Sequence, residues 1–282
     1  MKRLIVLLPV AANLRITLLE EILSIIREET SRFSVDLHFL LTVNQSSLDA
    51  GNPVSKLLEL QERHTDLEVF EVPAVEGAIT DAGPGRYVYG FYKVSQLGDF
   101  VIDIDSAGAH DPRSIGKFLE ALLSGQKAVF STRFGMKDAR DLYPFQRQLA
   151  SRVATLLSNV ILGVGIYYPD MASGYQGYSS DLLQRVFRVA PPESWITMST
   201  TTAFIETELR SYVLWLLKTT GANLRSSVQV IPIIYGVNKK GVKFPASVGL
   251  KALKAFWLLY QRKPVYLQKC KDLFAEKTGK SD

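Results

Sequence analysis

The chain has 282 residues, 47% hydrophobic and 22% charged, which suits one large α/β domain or two small ones and excludes a low-complexity or disordered protein. One cysteine, Cys270, and three scattered histidines exclude an internal disulfide framework and a zinc site of ordinary ligand spacing. The net charge of +5 is uneven: from Lys239 onward eleven Lys/Arg face three acids, a net +8, so residues 1–238 carry −3.

Met1-Lys2-Arg3 and the apolar run behind it resemble a secretory signal only superficially, because Pro9 interrupts the run and Arg15 follows soon after. Leu4–Pro9 instead reads as a strand covered on both faces, and Leu18, Ile22, Ile25 and Ile26 recur at helical spacing behind it. Val35–Val43 reads as strand, Val54–Arg63 as helix, Leu67–Val72 as strand and Gly85–Gln96 as helix. Asp99–Asp105 is a fourth strand, Pro112–Leu123 a helix and Lys127–Thr132 a fifth strand. Repeated βα units predict a mostly parallel sheet flanked by helices, with ligands beyond the carboxyl ends of its strands.

In the second half, Phe145, Leu149, Val153, Leu156, Leu157, Val160 and Ile161 form an apolar stripe on a long helix that Gly163 can end. Strand-like pieces surround Asp170 to Tyr178, Thr202–Lys218 reads as helix, Ser227–Ile234 as strand and Ser247–Gln261 as an amphipathic helix. The spacing gives one α/β domain over 1–238 and a basic amphipathic C-terminal segment over 239–282. No uninterrupted apolar run reaches the roughly 18 residues a membrane-spanning helix requires.

The stretch from Gly98 to Pro112 carries the chemistry: a hydrophobic strand ends in Asp103-Ile-Asp105, a polar loop follows, and Asp111-Pro112 opens a helix. A carboxylate presented at the sheet's edge can hold Mg²⁺ or Mn²⁺ against a diphosphate, whereas Asp111 suits a helix N-cap. His38 and His64 read as structural or solvated. Glu206 and Glu208 read either as a salt-bridged helix start or, most sharply at Glu208, as a general base for a hydroxyl acceptor.

This pattern resembles family 2 glycosyltransferases, particularly the dolichol- or polyprenyl-phosphate mannose and glucose synthases. Their Gly-Asp-hydrophobic run-Asp-x-Asp-x-x-His-x-Pro stretch aligns from Gly98 without gaps, placing Asp105 on the first aspartate and Ala107 on the second. Gly83-Pro-Gly85-Arg86 with Gly90 resembles the family's Gly-x-Gly-Lys segment, and Ser131-Thr132-Arg133 its Gly-Ser-Arg. Arg147, Ser151 and Arg152 match its Arg-x-x-x-Ser-Arg helix. Asp170-Met-Ala-Ser173-Gly174-Tyr175-Gln176-Gly-Tyr178 matches Asp-x-x-Ser-Gly-Phe-Arg-x-Tyr, with Gln176 for the arginine, and Ile231-Pro232-Ile233 matches a Val-Pro-Ile strand. Two motifs depart: Pro9 leads into Val-Ala-Ala-Asn13 where Pro-x-Tyr-Asn-Glu is usual, and Val43-Asn44-Gln45-Ser46-Ser47 replaces an Asp-Asp-Gly-Ser-like loop.

The resemblance implies a GT-A-like (Rossmann-like) α/β fold and an inverting transferase that moves sugar from a nucleotide-sugar to a polyprenyl phosphate or glycan. It implies donor contacts from Pro9, Asn44, Arg86, Asp103 and Asp105, and acceptor contacts from Arg147, Ser151, Arg152, Ser173 and Gln176. Asp105, Arg133 and Glu208 are the implied catalytic groups and Asp105 the implied ligand of Mg²⁺ or Mn²⁺, with weak metal dependence because Ala107 lacks a carboxylate. The alternatives are a non-catalytic nucleotide-sugar or glycan binder on the same fold, and a sugar nucleotidyltransferase, whose Gly-rich basic loop after the first strand Val10–Arg15 does not supply. No nucleic-acid partner is expected. The basic tail either lies on an anionic membrane surface or packs on the domain, which places the protein in the cytoplasm or on the cytoplasmic face of a membrane.

Overall fold

The protein is described by a computed structural model covering residues 1–10, 14–43, 54–72, 83–164, 170–197, 204–236 and 246–274. Asn44, one of the expected donor contacts, lies outside the described residues, as does its neighbour Gln45. The first strand, β1 (Lys2–Pro9), is buried from Leu4 onward, as its continuous apolar run requires, and pairs in parallel with β2 (Val35–Val43) and β4 (Phe100–Asp103). β2 pairs in parallel with β3 (Leu67–Glu71), and β5 (Ala128–Thr132) with β8 (Val228–Pro232). Between β4 and β5 runs β7 (Gln176–Ser179), antiparallel to both, which completes the order β3-β2-β1-β4-β7-β5-β8. A two-stranded ribbon of β6 (Arg140–Asp141) and β9 (Ile234–Tyr235) stands beside it.

Helices cover both faces. α1 (Ile16–Thr30), α2 (Val54–Arg63) and α4 (Ile115–Leu123, after a 3-10 turn at Pro112–Ser114) close a core with Leu4, Val6, Leu8, Phe39, Ile102 and Tyr175. On the other face α3 (Gly83–Val94), α6 (Ser180–Val189), α7 (Ile205–Thr219), the short α8 (Leu224–Ser227) and α9 (Ala246–Phe274) pack around Trp195, Tyr212, Trp215 and Tyr266. Asp111 caps the turn before α4 by accepting from Arg113 N at 3.1 Å, the structural role the Asp-Pro pair suggested. Gly90 is a packing residue: a Cβ there would meet Leu7 Cδ1 at 2.9 Å and Thr42 Cγ2 at 3.0 Å, so α3 lies directly on β1 and β2.

Three expectations shift. β4 ends at Asp103, not Asp105, because the Asp105 carboxylate turns back to accept from Ala107 N (2.8 Å) and Ala109 N (3.3 Å) and bends the chain out of the sheet. The last helix runs well past Gln261 to Phe274, through Pro264, and it buries Ala255, Phe256, Leu259, Tyr266 and Cys270 against the domain. Tyr266 stacks on Tyr212 at 4.5 Å and donates to its carbonyl at 3.1 Å, while Trp257 and Tyr260 stay exposed. Finally, α5 (Phe145–Ile161) is inside out. It buries Thr155, Ser158 and Asn159 and turns its apolar stripe to solvent, the reverse of ordinary amphipathic packing.

Candidate active site

The carboxyl ends of β1 and β4 adjoin at the middle of the sheet, and the antiparallel entry of β7 brings Gln176 to the same edge, paired with Asp103. Asp103 is buried; its Oδ2 accepts from Gln176 Nε2 at 3.3 Å and its Oδ1 has no hydrogen-bond partner. Burial, then the nearby charges of Glu206 and Asp105, push its pKa well above the ordinary 3.8. Gln176 accepts from Tyr178 OH at 2.8 Å and from Arg210 Nε at 3.3 Å. Arg210, on α7, is completely buried and also donates to the carbonyls of Asp170, Ser173 (2.6 Å) and Tyr175 (3.3 Å). It therefore fastens the whole Asp170–Gln176 turn under the sheet's edge.

Arg133 forms the second fastening. Its backbone N, Nε and Nη2 donate to the Asp170 carboxylate at 3.1, 2.7 and 2.8 Å, and its Nη1 lies 3.8 Å from Asp141. Burial opposes both charges, yet the pair holds the Asp170 carboxyl below its usual value and Arg133 above its own. An arginine so engaged, with both partners buried, organises the site from below rather than reaching a diphosphate. Ser173 is buried beside it, its hydroxyl 2.5 Å from that of Ser131.

Above this floor the rim is polar and aromatic. Ser106 donates to Pro9 O at 2.7 Å and Arg86 donates to Val10 O, so the loops after β1 and β4 and the first turn of α3 meet. Half-buried Asp105 sits among them. His110 lies 4.8 Å from the Tyr235 ring and 5.5 Å from Tyr175. Arg147, at the start of α5, lies 3.7 Å over the Tyr143 ring and donates from Nη2 to Tyr235 OH at 3.4 Å; its Nη1 has no hydrogen-bond partner. Arg152 is exposed, 4.8 Å over Phe134, and Ser151 is half-buried on the same helix.

Glu208 is not at this cleft. It is fully buried and accepts from Ile196 N (2.8 Å), Thr197 N (2.9 Å), Thr197 Oγ1 (2.8 Å) and Tyr212 OH (2.8 Å), which makes it a clamp on the chain before α7. Its neighbour Glu206, on another side of the helix, is the carboxylate that faces the site. A Cβ on Gly174 would lie 3.3 Å from Glu206 Oε1 and 3.5 Å from His110 Cε1. Burial raises the Glu206 pKa, with backbone hydrogen bonding and Arg210 opposing. The structure thus gathers Pro9, Arg86, Asp103, Asp105, Arg147 and Gln176 at one edge of the sheet and sets Arg133 and Ser173 beneath it. Sequence reading missed Arg210 and Tyr235 and, of the two candidate bases, singled out Glu208 where Glu206 faces the site; an Arg four residues after Glu206 looks like an ordinary helix pair.

Among the described residues no three or more His, Cys, Asp or Glu side chains cluster as metal ligands. A cation bridged to a diphosphate needs only one or two protein carboxylates, and Asp105 with the orphan Asp103 Oδ1 meets that requirement. Two shallow cavities, of about 180 and 220 Å³, lie at the opposite, amino end of the sheet, beside Arg3 and His38 and beside Lys127 and Ser227.

The fold and this edge define the class first. Glucosyl-3-phosphoglycerate synthase from Mycobacterium tuberculosis, solved with UDP, superposes with a TM-score of 0.52 at 14% identity over 92% of this chain and 80% of that one. The same enzyme solved with Mn²⁺, UDP and glucosyl-3-phosphoglycerate gives 0.50 at 16% over 95% and 80%. This is the GT-A-type α/β fold, as the motif order implied.

Sequence comparison narrows the likeness. Polyprenol monophosphomannose synthase of Mycolicibacterium smegmatis is 27% identical over 86 residues, 30% of this chain and 32% of that protein. Undecaprenyl-phosphate mannosyltransferase of Micrococcus luteus is 28% identical over 104 residues, 36% of this chain and 41% of that protein. The matched segments span less than half the length of these curated relatives. No protein-family model matches the chain. The likenesses together show a GT-A-type fold and a partial sequence similarity to polyprenyl-phosphate mannosyltransferases.

Proposed function

We propose that the protein transfers a sugar, with inversion, from a nucleotide-sugar to a polyprenyl phosphate or a glycan. The observation that carries the reading is the Asp103–Asp105 segment at the carboxyl edge, where β1, β4 and β7 meet and Arg86 closes one side. The acceptor oxygen attacks the anomeric carbon, the bond from that carbon to the diphosphate oxygen breaks, and the electron pair leaves with the nucleoside diphosphate. A divalent cation held by Asp105 and Asp103 would neutralise charge on that leaving group. Arg86 lines the donor side, and Arg147, set between Tyr143 and Tyr235, presents its guanidinium toward an acceptor phosphate. A lipid phosphate is already ionised and needs no base; for a hydroxyl acceptor the proton would pass to Glu206, whose raised pKa suits it for that task.

Among the described residues no helix is long and apolar enough to cross a membrane, so a lipid acceptor would be reached from the bilayer surface. The residues over 1–238 would form the transferase unit and the basic segment from 239 an accessory, held on the domain through α9. Calorimetry with GDP-, UDP- and dTDP-sugars, with and without Mn²⁺, followed by transfer to polyprenyl phosphate, tests the reading. Saturable donor binding with turnover is the expected result. Donor binding without turnover on any acceptor would make the chain a binding protein, and no binding to any nucleotide-sugar would refute the proposal.

A further inference from the structure

The inverted helix α5 requires an explanation that the site does not supply. Phe145 is 72% exposed, Leu149 49%, Val153 47%, Leu156 57% and Val160 67%, and Leu142 continues the row at its start. Isolated surface apolar residues are ordinary, but a row at three- and four-residue spacing along about 25 Å of helix is a contiguous patch that water should not be left to cover. The inner face of the same helix shows that this is no register slip. Thr155 Oγ1 accepts from Met171 N at 3.1 Å, and the Leu162 carbonyl beyond the helix end accepts from Trp215 Nε1 at 2.9 Å. Rotating the helix to bury the stripe would break the first contact and leave small polar groups in the core's place.

The charges around the patch indicate what covers it. α5 contains Arg147 and Arg152 and no acid. Lys137 and Arg140 precede it against one exposed acid, Asp138, and at its far end Lys218 donates to Gly163 O at 2.8 Å. Lys263 of α9 comes to the same place: a Cβ on Gly163 would lie 2.7 Å from its Nζ. Two copies of this chain meeting across a two-fold axis would set arginine against arginine with no carboxylate on either helix, which costs energy. An apolar stripe framed by cations matches the boundary of an anionic bilayer, where side chains enter the acyl region and Lys/Arg remain among the headgroups.

We propose that the outward face of α5 is the surface by which the protein lies on an anionic lipid membrane. The helix starts at the mouth of the candidate site, where Arg147 meets Tyr235, so a phosphate emerging from the bilayer beside Phe145 and Leu149 reaches the carboxyl edge of the sheet. This rests on the lipid-acceptor form of the proposed function and moves the membrane contact from the basic tail to α5, because α9 spends Phe256, Leu259 and Tyr266 on the domain.

Sedimentation with vesicles of phosphatidylcholine, alone or mixed equally with phosphatidylglycerol, tests it. The wild-type protein should bind the anionic vesicles, release as salt rises, and bind neutral ones far less. Leu149→Glu with Leu156→Glu should lower the anionic partition coefficient at least tenfold, with melting temperature and calorimetric nucleotide-sugar affinity unchanged. Trp257→Ala with Tyr260→Ala on α9 should change it less. Failure of the wild type to bind either vesicle, or binding by the α5 variant equal to wild type, overturns the proposal. So does a monomer–dimer equilibrium, seen by sedimentation velocity, that the α5 variant abolishes in a protein that ignores vesicles. A protein that binds vesicles but no nucleotide-sugar upholds this face and defeats the proposed function, which keeps the two failures distinct.

Discussion

Asp170→Asn isolates the role of the buried pair beneath the site. The substitution preserves shape but removes the charge that faces Arg133, whose side chain and that of Asp170 are almost wholly buried. Removing one partner of such a pair leaves an uncompensated charge and costs about 3–5 kcal/mol. With an unfolding entropy of about 2.1 cal/mol/K per residue, this lowers the melting temperature of a chain of this length by roughly 5–8 °C. Differential scanning calorimetry measures it, with pH as a second axis. Burial alone would raise the Asp170 pKa, but Arg133 holds it below the ordinary 3.8. A lowered folded value means that the stabilisation is fully present above about pH 4 and disappears as pH falls through the folded pKa. The variant and wild type should therefore differ most at neutral pH and converge in acid. A drop under about 2 °C at pH 7 would refute the account of the Asp170–Gln176 turn as held by this pair. A fall in donor affinity without any thermal effect would return Arg133 to the diphosphate.

Asp105→Asn should abolish transfer while shifting the melting temperature by no more than about 2 °C, because a partly exposed, loop-capping side chain contributes little to stability; wild-type turnover in the folded variant would remove Asp105 from the site. Excess EDTA should lower activity and Mn²⁺ should restore it, because Asp103 stands in for the carboxylate that Ala107 lacks; full activity in EDTA would remove the cation, and with it Asp103 as a ligand, from the proposed reaction. Glu208→Gln should cost about 2–4 kcal/mol of stability with unchanged turnover per folded molecule, because its acceptors are committed to Ile196, Thr197 and Tyr212; lost turnover at an unchanged melting temperature would make it the base instead. Asp103→Asn should stabilise the protein at neutral pH. Burial raises the native pKa of Asp103, so its favourable contribution is complete below about pH 4 and is lost as pH rises through the folded value, among Glu206, Asp105, Gln176 and Arg210. Melting curves at mildly acid and neutral pH that show no such crossover would contradict the direction of that shift.

Residue order alone determined strands over Leu4–Pro9, Val35–Val43 and Lys127–Thr132, which the structure bounds within two residues at each end, because continuous apolar runs leave a strand few alternatives, and it determined the motif order that pointed to the fold. It also placed Asp105 and Arg86 near one edge, since parallel βα units carry their loops there. What it left undecided was direction. Helical periodicity defines a stripe but not the side on which the core lies, so α5 read as an ordinary amphipathic helix until its polar face was seen bonded inward through Thr155. Glu206 and Glu208 are two residues apart on one helix, and only the packing of α7 turns one toward Gly174 and seals the other among donors. Arg210 lies 34 positions from Gln176 in the chain and touches it only once β7 runs antiparallel into the sheet. Local sequence records what each segment can bury; long-range pairing decides which charges share a low-dielectric space, and the chemistry of this edge follows from that sharing.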